Sequence, residues 1–400
     1  MARRRLLTAL MAAALLPAAL AAAPATAAPP SPAGAPVVTG GEHGHGSSAY
    51  RVVELGTLGG PQSVPHAVNA HGQVVGASQT ADGRWHAFSW QRGRMRDLTP
   101  DAENGVAMDV NDAGQVVVQV TAVAGGPTMS ELRSGRRTVV LGAVFAQQVN
   151  ERGQVAGGVY TPEGPAGPNG NPFLWTRGTR VDTGPVPGFA GPDSRLVDLD
   201  DRGRLLGIGL GPQSFELGYV WAAGTFTTIG DPDAFGGNGV VDLSNTGWVL
   251  GNAYDGGPFL WRDGVTTWLG LPPGVSQGDP VAVDEHGHAA VNLRPDAGGP
   301  ERAHLWDGRR YVPLGPADAA THAMAMDDRH RVAGVFTPAD DPMRTSAFLV
   351  ERGRFVDLGA GIDGVVAAQA LAGRGYVMGT VTSPEGFVTA LLWTTGRTHS

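Results

Sequence analysis

The chain has 400 residues, a formal net charge of −8, 61 Gly, 30 Pro and no Cys. The missing cysteines exclude a disulfide framework and any thiolate metal site. An acidic balance without a basic face excludes a nucleic-acid surface, and abundant Gly and Pro without a period of three indicate many tight turns rather than collagen.

Residues 1–27 read as a signal peptide. Arg3, Arg4 and Arg5 precede an apolar Leu/Ala run, and Ala25-Thr26-Ala27 forms a small-x-small cleavage site that makes Ala28 the first mature residue. Pro17 interrupts the run, which is shorter than the roughly 20 residues a spanning helix needs. No second apolar segment follows, so no membrane span is expected. "RRRLL" also fits a twin-arginine signal loosely, but the ordinary secretory (Sec) route is the simpler reading. The protein is therefore expected to be secreted. Residues 28–49 are rich in Pro, Gly and Ala and read as a disordered linker; His43 and His45 within "EHGHG" are expected to be solvated there.

From residue 50 to 396 the chain counts out a repeat. "VNAHGQVVG" (68–76) returns as "VNDAGQVVV" (110–118) and "VNERGQVAG" (149–157). Aligned on the turn Asn/Asp-x-x-Gly, the glycines are Gly72, Gly114, Gly153, Gly203, Gly247, Gly287 and Gly375, with His330 taking the place in the seventh copy. A second marker follows each turn, as in "HAFSW" (86–90), "PFLW" (172–175), "GYVW" (218–221) and "ALLW" (390–393). The two markers keep step through eight copies of about 43 residues, a period that belongs to solenoids, propellers or arrays. Each copy reads as four short strands: an apolar stretch into the Asn/Gly turn, "QVVGAS" out of it, the aromatic marker, and a Gly-containing hairpin into "RMRDL". Helix periodicity is absent.

The ends show why the units should close into a ring. The last copy stops with almost no room for its fourth strand; residues 397–400 are a tail. The first copy is preceded by "YRVVELGTL" (50–58), which has the pattern of a fourth strand. Pairing Arg51–Leu55 beside Ala390–Trp393 would complete the final blade and remove an open sheet edge. The expected fold is all-β: an eight-bladed β-propeller of four-stranded antiparallel blades, closed by the N-terminal strand. An open solenoid is the alternative. The residue before each turn is apolar (Val68, Val110, Val149, Leu199, Leu243, Val283, Met326, Leu371) and should pack between blades. The recurring Trp should fill wider space farther out, so that Trp175 and Trp261 are expected to be buried alike.

"ELGTLGG", "VNAHGQVVGAS", "HAFSW" and "RMRDL", in that order, resemble the HAF repeat of bacterial extracellular proteins. The likeness is closest over residues 54–98 and decays along the chain. It implies export and repeated β-strands; it implies no catalytic residues.

Chemistry-bearing motifs are few. There is no Gly-x-Ser-x-Gly elbow, phosphate loop, His-Glu-x-x-His or calcium loop. The Asp pairs Asp200-Asp201 and Asp327-Asp328 fall in turns, and Asp231, Asp233, Asp340 and Asp341 in loops, where turn chemistry accounts for them. One position departs from the repeat. Two residues before the turn's Asn/Asp, four copies carry Ala67, Ala282, Ala325 and Ala370, whereas copies two to five carry Asp109, Gln148, Asp198 and Asp242. On consecutive blades these would converge on one side of the axis, as a site for a polar ligand or divalent cation. Otherwise they cap neighbouring backbone amides. No other cofactor is expected. Long loops at 161–172 and 184–195 offer a second place for a ligand.

The leading functional reading is a monomeric, non-catalytic propeller binding an extracellular glycan, protein or cell-envelope component. The alternatives are an extracellular polymer-degrading lyase or hydrolase using Asp109, Asp198 and Asp242, and a purely structural envelope protein.

Overall fold

The structure is a computed structural model that describes residues 50–159, 170–190, 194–230, 237–254, 256–296, 298–373 and 375–395. The signal peptide, the linker, the tail, Asp231 and Asp233 lie outside the described residues, as does most of the 161–172 loop and part of the 184–195 loop. Thirty-two strands form eight four-stranded antiparallel sheets, with no helix among the described residues. The chain is an eight-bladed β-propeller.

Blade 1 shows the local logic. Its strands are Gly59–Val68, Val74–Thr80, Trp85–Gln91 and Arg94–Asp97. Between the first two, Asn69 Oδ1 accepts the amides of His71 and Gln73 at 3.0 and 2.9 Å, and Gly72 closes the turn at φ 70°. A left-handed residue is cheap only for Gly, which has no Cβ to clash. The hairpin into the fourth strand has two positive-φ residues, Arg92 and Gly93, the signature of a type I′ turn matched to strand twist.

Every blade carries an irregularity at one place in its first strand. The register shifts between Pro65 and Ala67 in blade 1 and at the equivalent step in the other seven. A bulge bends the strand and raises its twist. Facing it, the second strand often needs Gly. A Cβ on Gly76 would lie 2.1 Å from the Val64 carbonyl oxygen and 3.0 Å from the Phe88 ring that covers it.

Closure follows the expected pairing. Tyr50–Glu54 runs antiparallel to Val388–Thr395, with Arg51 opposite Thr394 and Glu54 opposite Leu391. Leu55 adds a bond from its amide to the Ala390 carbonyl at 3.0 Å. The eighth blade is thus built from both chain ends.

The core consists of eight clusters, one at each junction between neighbouring blades. All eight apolar residues before the turns are buried in them. The Trp series divides. Trp90, Trp221, Trp261 and Trp393 are buried, but Trp175 and Trp306 are only half-buried. Trp175 differs from expectation; its partner in the fourth strand is the exposed Arg180, where Trp90 and Trp221 face the half-buried Met95 and Phe226.

Candidate functional site

The four sequence-selected residues lie just after the bulge in the first strands of blades 2 to 5. They tie successive blades together. Asp109 accepts the amides of Val110 at 2.7 Å and, from blade 3, Val149 at 2.8 Å. Gln148 donates to the Val197 carbonyl of blade 4 at 3.2 Å. Asp198 accepts from Leu199 and from Leu243 of blade 5, and Asp242 from Leu243 and from Val283 of blade 6. The capping arrangement is therefore present as a continuous brace across five blades. A ligand role for these residues is a separate proposal, and any such ligand would compete with these amides. The Gln148 Oε1 atom is buried without a hydrogen-bond partner.

A second ring of contacts encircles the turn face. In blades 1 to 3 the turn Asn donates its amide both to Gln four residues on and to the next blade's turn carbonyl. Asn69 reaches Asn111, Asn111 reaches Asn150, and Asn150 reaches Asp200, at 2.8–3.1 Å. Where the turn residue is Asp it has no donor, so the residue four positions on must supply one. Arg204 answers Asp200 and continues to the Ser244 and Asn245 carbonyls. Arg331 answers Asp327 and continues to Ala372 and Gly373.

Blade 6 follows the same rule with an imidazole in place of the guanidinium. Its turn acid, Asp284, has no exposed side-chain surface, and its partner four residues on is His288. Asp284 Oδ1 accepts the amides of His286 and His288, each at 2.8 Å. Asp284 Oδ2 accepts from His288 Nδ1 at 2.8 Å and from His330 Nε2 of blade 7 at 2.7 Å. His286 Nδ1 lies 3.8 Å away. One ligand atom from each of the four residues falls within 4.8 Å of the others. Burial alone would raise the Asp284 pKa; the bonds from the His288 ring and from the two amides outweigh it and hold it low. A carboxylate and three imidazoles are a donor set able to hold a divalent cation. This group was not singled out in the sequence, although two signals were there: Asp-x-His-x-His in one turn and a histidine at a glycine position in the next.

On the opposite face, a cleft of about 670 Å³ opens between blades 5 and 6, with one wall from blade 4. Tyr254, 87% exposed, stands at it. The exposed indole of Trp268 lies beside the cleft residue Gly256, where a Cβ would come within 2.4 Å of the ring. Polar groups from Asn252, Ser276, Gln277 and Asp279 line the cleft. Asn252 Oδ1 is buried without a hydrogen-bond partner.

No protein-family model and no curated protein matches the chain. Solved structures do. The chain is similar to the β-propeller domain of the Trilobed protease from Pyrococcus furiosus, at 14% identity and a TM-score of 0.42, covering 74% of this chain and 94% of that one. It is similar to the computationally designed Ika8 protein at 17% identity and a TM-score of 0.48, covering 85% and 99%. It also matches the S511A mutant of puromycin hydrolase in complex with PGG at 15% identity and a TM-score of 0.45, covering 83% of this chain and 52% of that one.

Proposed function

We propose that the chain is an exported, non-catalytic propeller of the HAF-repeat kind that binds an extracellular glycan in the cleft between blades 5 and 6. The signal-like first 27 residues support export, and the "HAFSW"-type markers support the family reading. The observation that carries the binding reading is the cleft itself. It combines an exposed aromatic ring, Tyr254, with polar side chains from Asn252, Ser276, Gln277 and Asp279. A sugar ring presents C–H bonds to an aromatic face and hydroxyls to amide oxygens, so one ligand would use both.

The test is a glycan array probed with the full chain, repeated with Tyr254→Ala and with Trp268→Ala. Retention of a defined oligosaccharide class, weakened about tenfold or more in Tyr254→Ala, is the expected result. If no glycan is retained, or retention is indifferent to Tyr254, the reading is wrong. A hydrolase panel on the same arrayed sugars is expected to show no turnover.

A further inference from the structure

We propose that Asp284, His286, His288 and His330 form a transition-metal site of the zinc class that clips blade 6 to blade 7 on the turn face. It lies on the face opposite the cleft and does not depend on what the cleft binds.

Three observations carry this. The first is charge. At the two other Asp turns that use the residue four positions on, a guanidinium answers the carboxylate: Arg204 for Asp200 and Arg331 for Asp327. At Asp284 imidazoles stand in that place, around a carboxylate with no exposed surface. A buried carboxylate is stable only with a cation or a full set of donors. Asp284 meets this with four donors, two amides and two imidazoles, and none of these need carry a charge, so a divalent ion would add the cation that Arg supplies at the other two turns.

The second is backbone geometry. In blades 1 to 6 the equivalent turn position is glycine with φ between 70° and 97°; in blade 7 it is His330 at φ 58°. A non-glycine residue in the left-handed region is disfavoured by its Cβ, so the chain holds a strained residue there. What that residue contributes is an imidazole whose Nε2 meets Asp284 across the blade junction. Its ring packs edge-on against His288, with centroids 4.5 Å apart. An outlier of this kind is a reason to look for function.

The third is preorganisation. Asp284 Oδ1 is held by the two amides of its own turn, which leaves Oδ2 aimed at the imidazoles. Gly287, at φ 85°, lets His286 and His288 flank it on one short turn. On binding, the ring protons that His288 and His330 direct at Oδ2 move to the opposite ring nitrogens. That frees one lone pair on each ring, and His286, 69% exposed, has room to swing in as the fourth ligand. Imidazole donors favour Zn²⁺, Co²⁺, Ni²⁺ or Cu²⁺ over Ca²⁺ and Mg²⁺.

The experiment is calorimetry and thermal melting of the full chain with Zn²⁺ alone, in a His43→Ala/His45→Ala background that removes the linker pair. One Zn²⁺ per chain and a raised Tm are expected, with no response to Ca²⁺ or Mg²⁺. Adding His330→Gly installs the residue found at the other turns; it should fold and lose Zn²⁺ affinity by about 100-fold or more. His288→Gln, which installs the side chain of blades 1 to 3, should do the same, so a folding failure in one variant leaves the other decisive. Co²⁺ should give the intense visible bands of a four-coordinate site, absent in both variants. No Zn²⁺ binding by the parent, or equal binding by either folded variant, overturns the proposal. Tyr254→Ala should leave Zn²⁺ binding unchanged.

Discussion

Val52 lies opposite Trp393 in the register of the eighth blade, so residues from the two ends of the described chain form one pair of strands. This pairing closes the ring. Without it, Val388–Thr395 would be an open edge, presenting unpaired amides and carbonyls to any passing strand.

Deleting residues through Glu54 should therefore do more than remove a strand. It strips Tyr50 and Val52 from the junction between blades 7 and 8. The expected outcome is a sharply lower melting temperature together with self-association, measured by calorimetry and light scattering. A truncated chain that melts like the parent and remains monomeric would contradict the role given to the closure.

The Trp markers should not be equivalent. Trp393 is 1% exposed and donates its indole N–H to the Leu358 carbonyl at 2.9 Å. Trp393→Ala should cost about 3–5 kcal/mol in urea unfolding. Trp175, half-buried at the edge of its cluster, should cost about 1–2 kcal/mol less than that. Equal losses at the two positions would mean that burial is not what distinguishes them.

Asp109→Asn tests the brace. The carboxylate serves two backbone amides, one in each of two blades. An amide side chain keeps one acceptor oxygen and turns an N–H₂ group toward the other donor. The loss should be about 1–3 kcal/mol, read from denaturation midpoints. Calorimetry of the parent with Ca²⁺ and Mg²⁺ addresses any ligand role for Asp109, Gln148, Asp198 and Asp242. Heat that vanishes in Asp109→Asn would establish one.

His66 should make the fold sensitive to mild acid. It sits at the bulge of blade 1, with Nδ1 3.0 Å from the Ala107 carbonyl. Burial lowers its pKa below 6.5, and the bond to Ala107 only partly opposes that. The unfolded chain, with the ordinary value, takes up a proton first as the pH drops. Stability is therefore fully present above 6.5 and falls as the pH moves down toward the folded-state pKa. His304, also lowered by burial, acts in the same direction. Melting curves between about pH 7.5 and 5 should show this loss, and His66→Gln should reduce its slope without abolishing it.

Much of the architecture was legible in the residues because its causes are local. Asn or Asp followed by Gly makes a turn wherever it stands, period-two alternation gives a strand two faces, and a surplus strand at one end matches a deficit at the other. Those features were enough to count eight blades and to place the closing pair. The acidic and amide residues after the bulge could also be found by alignment, since they depart from alanine at a repeated position. Capping of backbone amides was one of the two readings open for them; which amides, and that half belong to the next blade, depends on how far one blade is offset from the next.

Sequence by itself determined the number of units, the strands in each and the joining of the ends, since turn chemistry and counting need no third dimension. Only the tertiary structure decided that His330 meets Asp284 and His288 across a junction, that Trp175 lacks cover, and that Tyr254 stands over a cleft. Each of these depends on side chains from different strands arriving at one point. That is settled by the twist and spacing of packed blades, which no single repeat encodes.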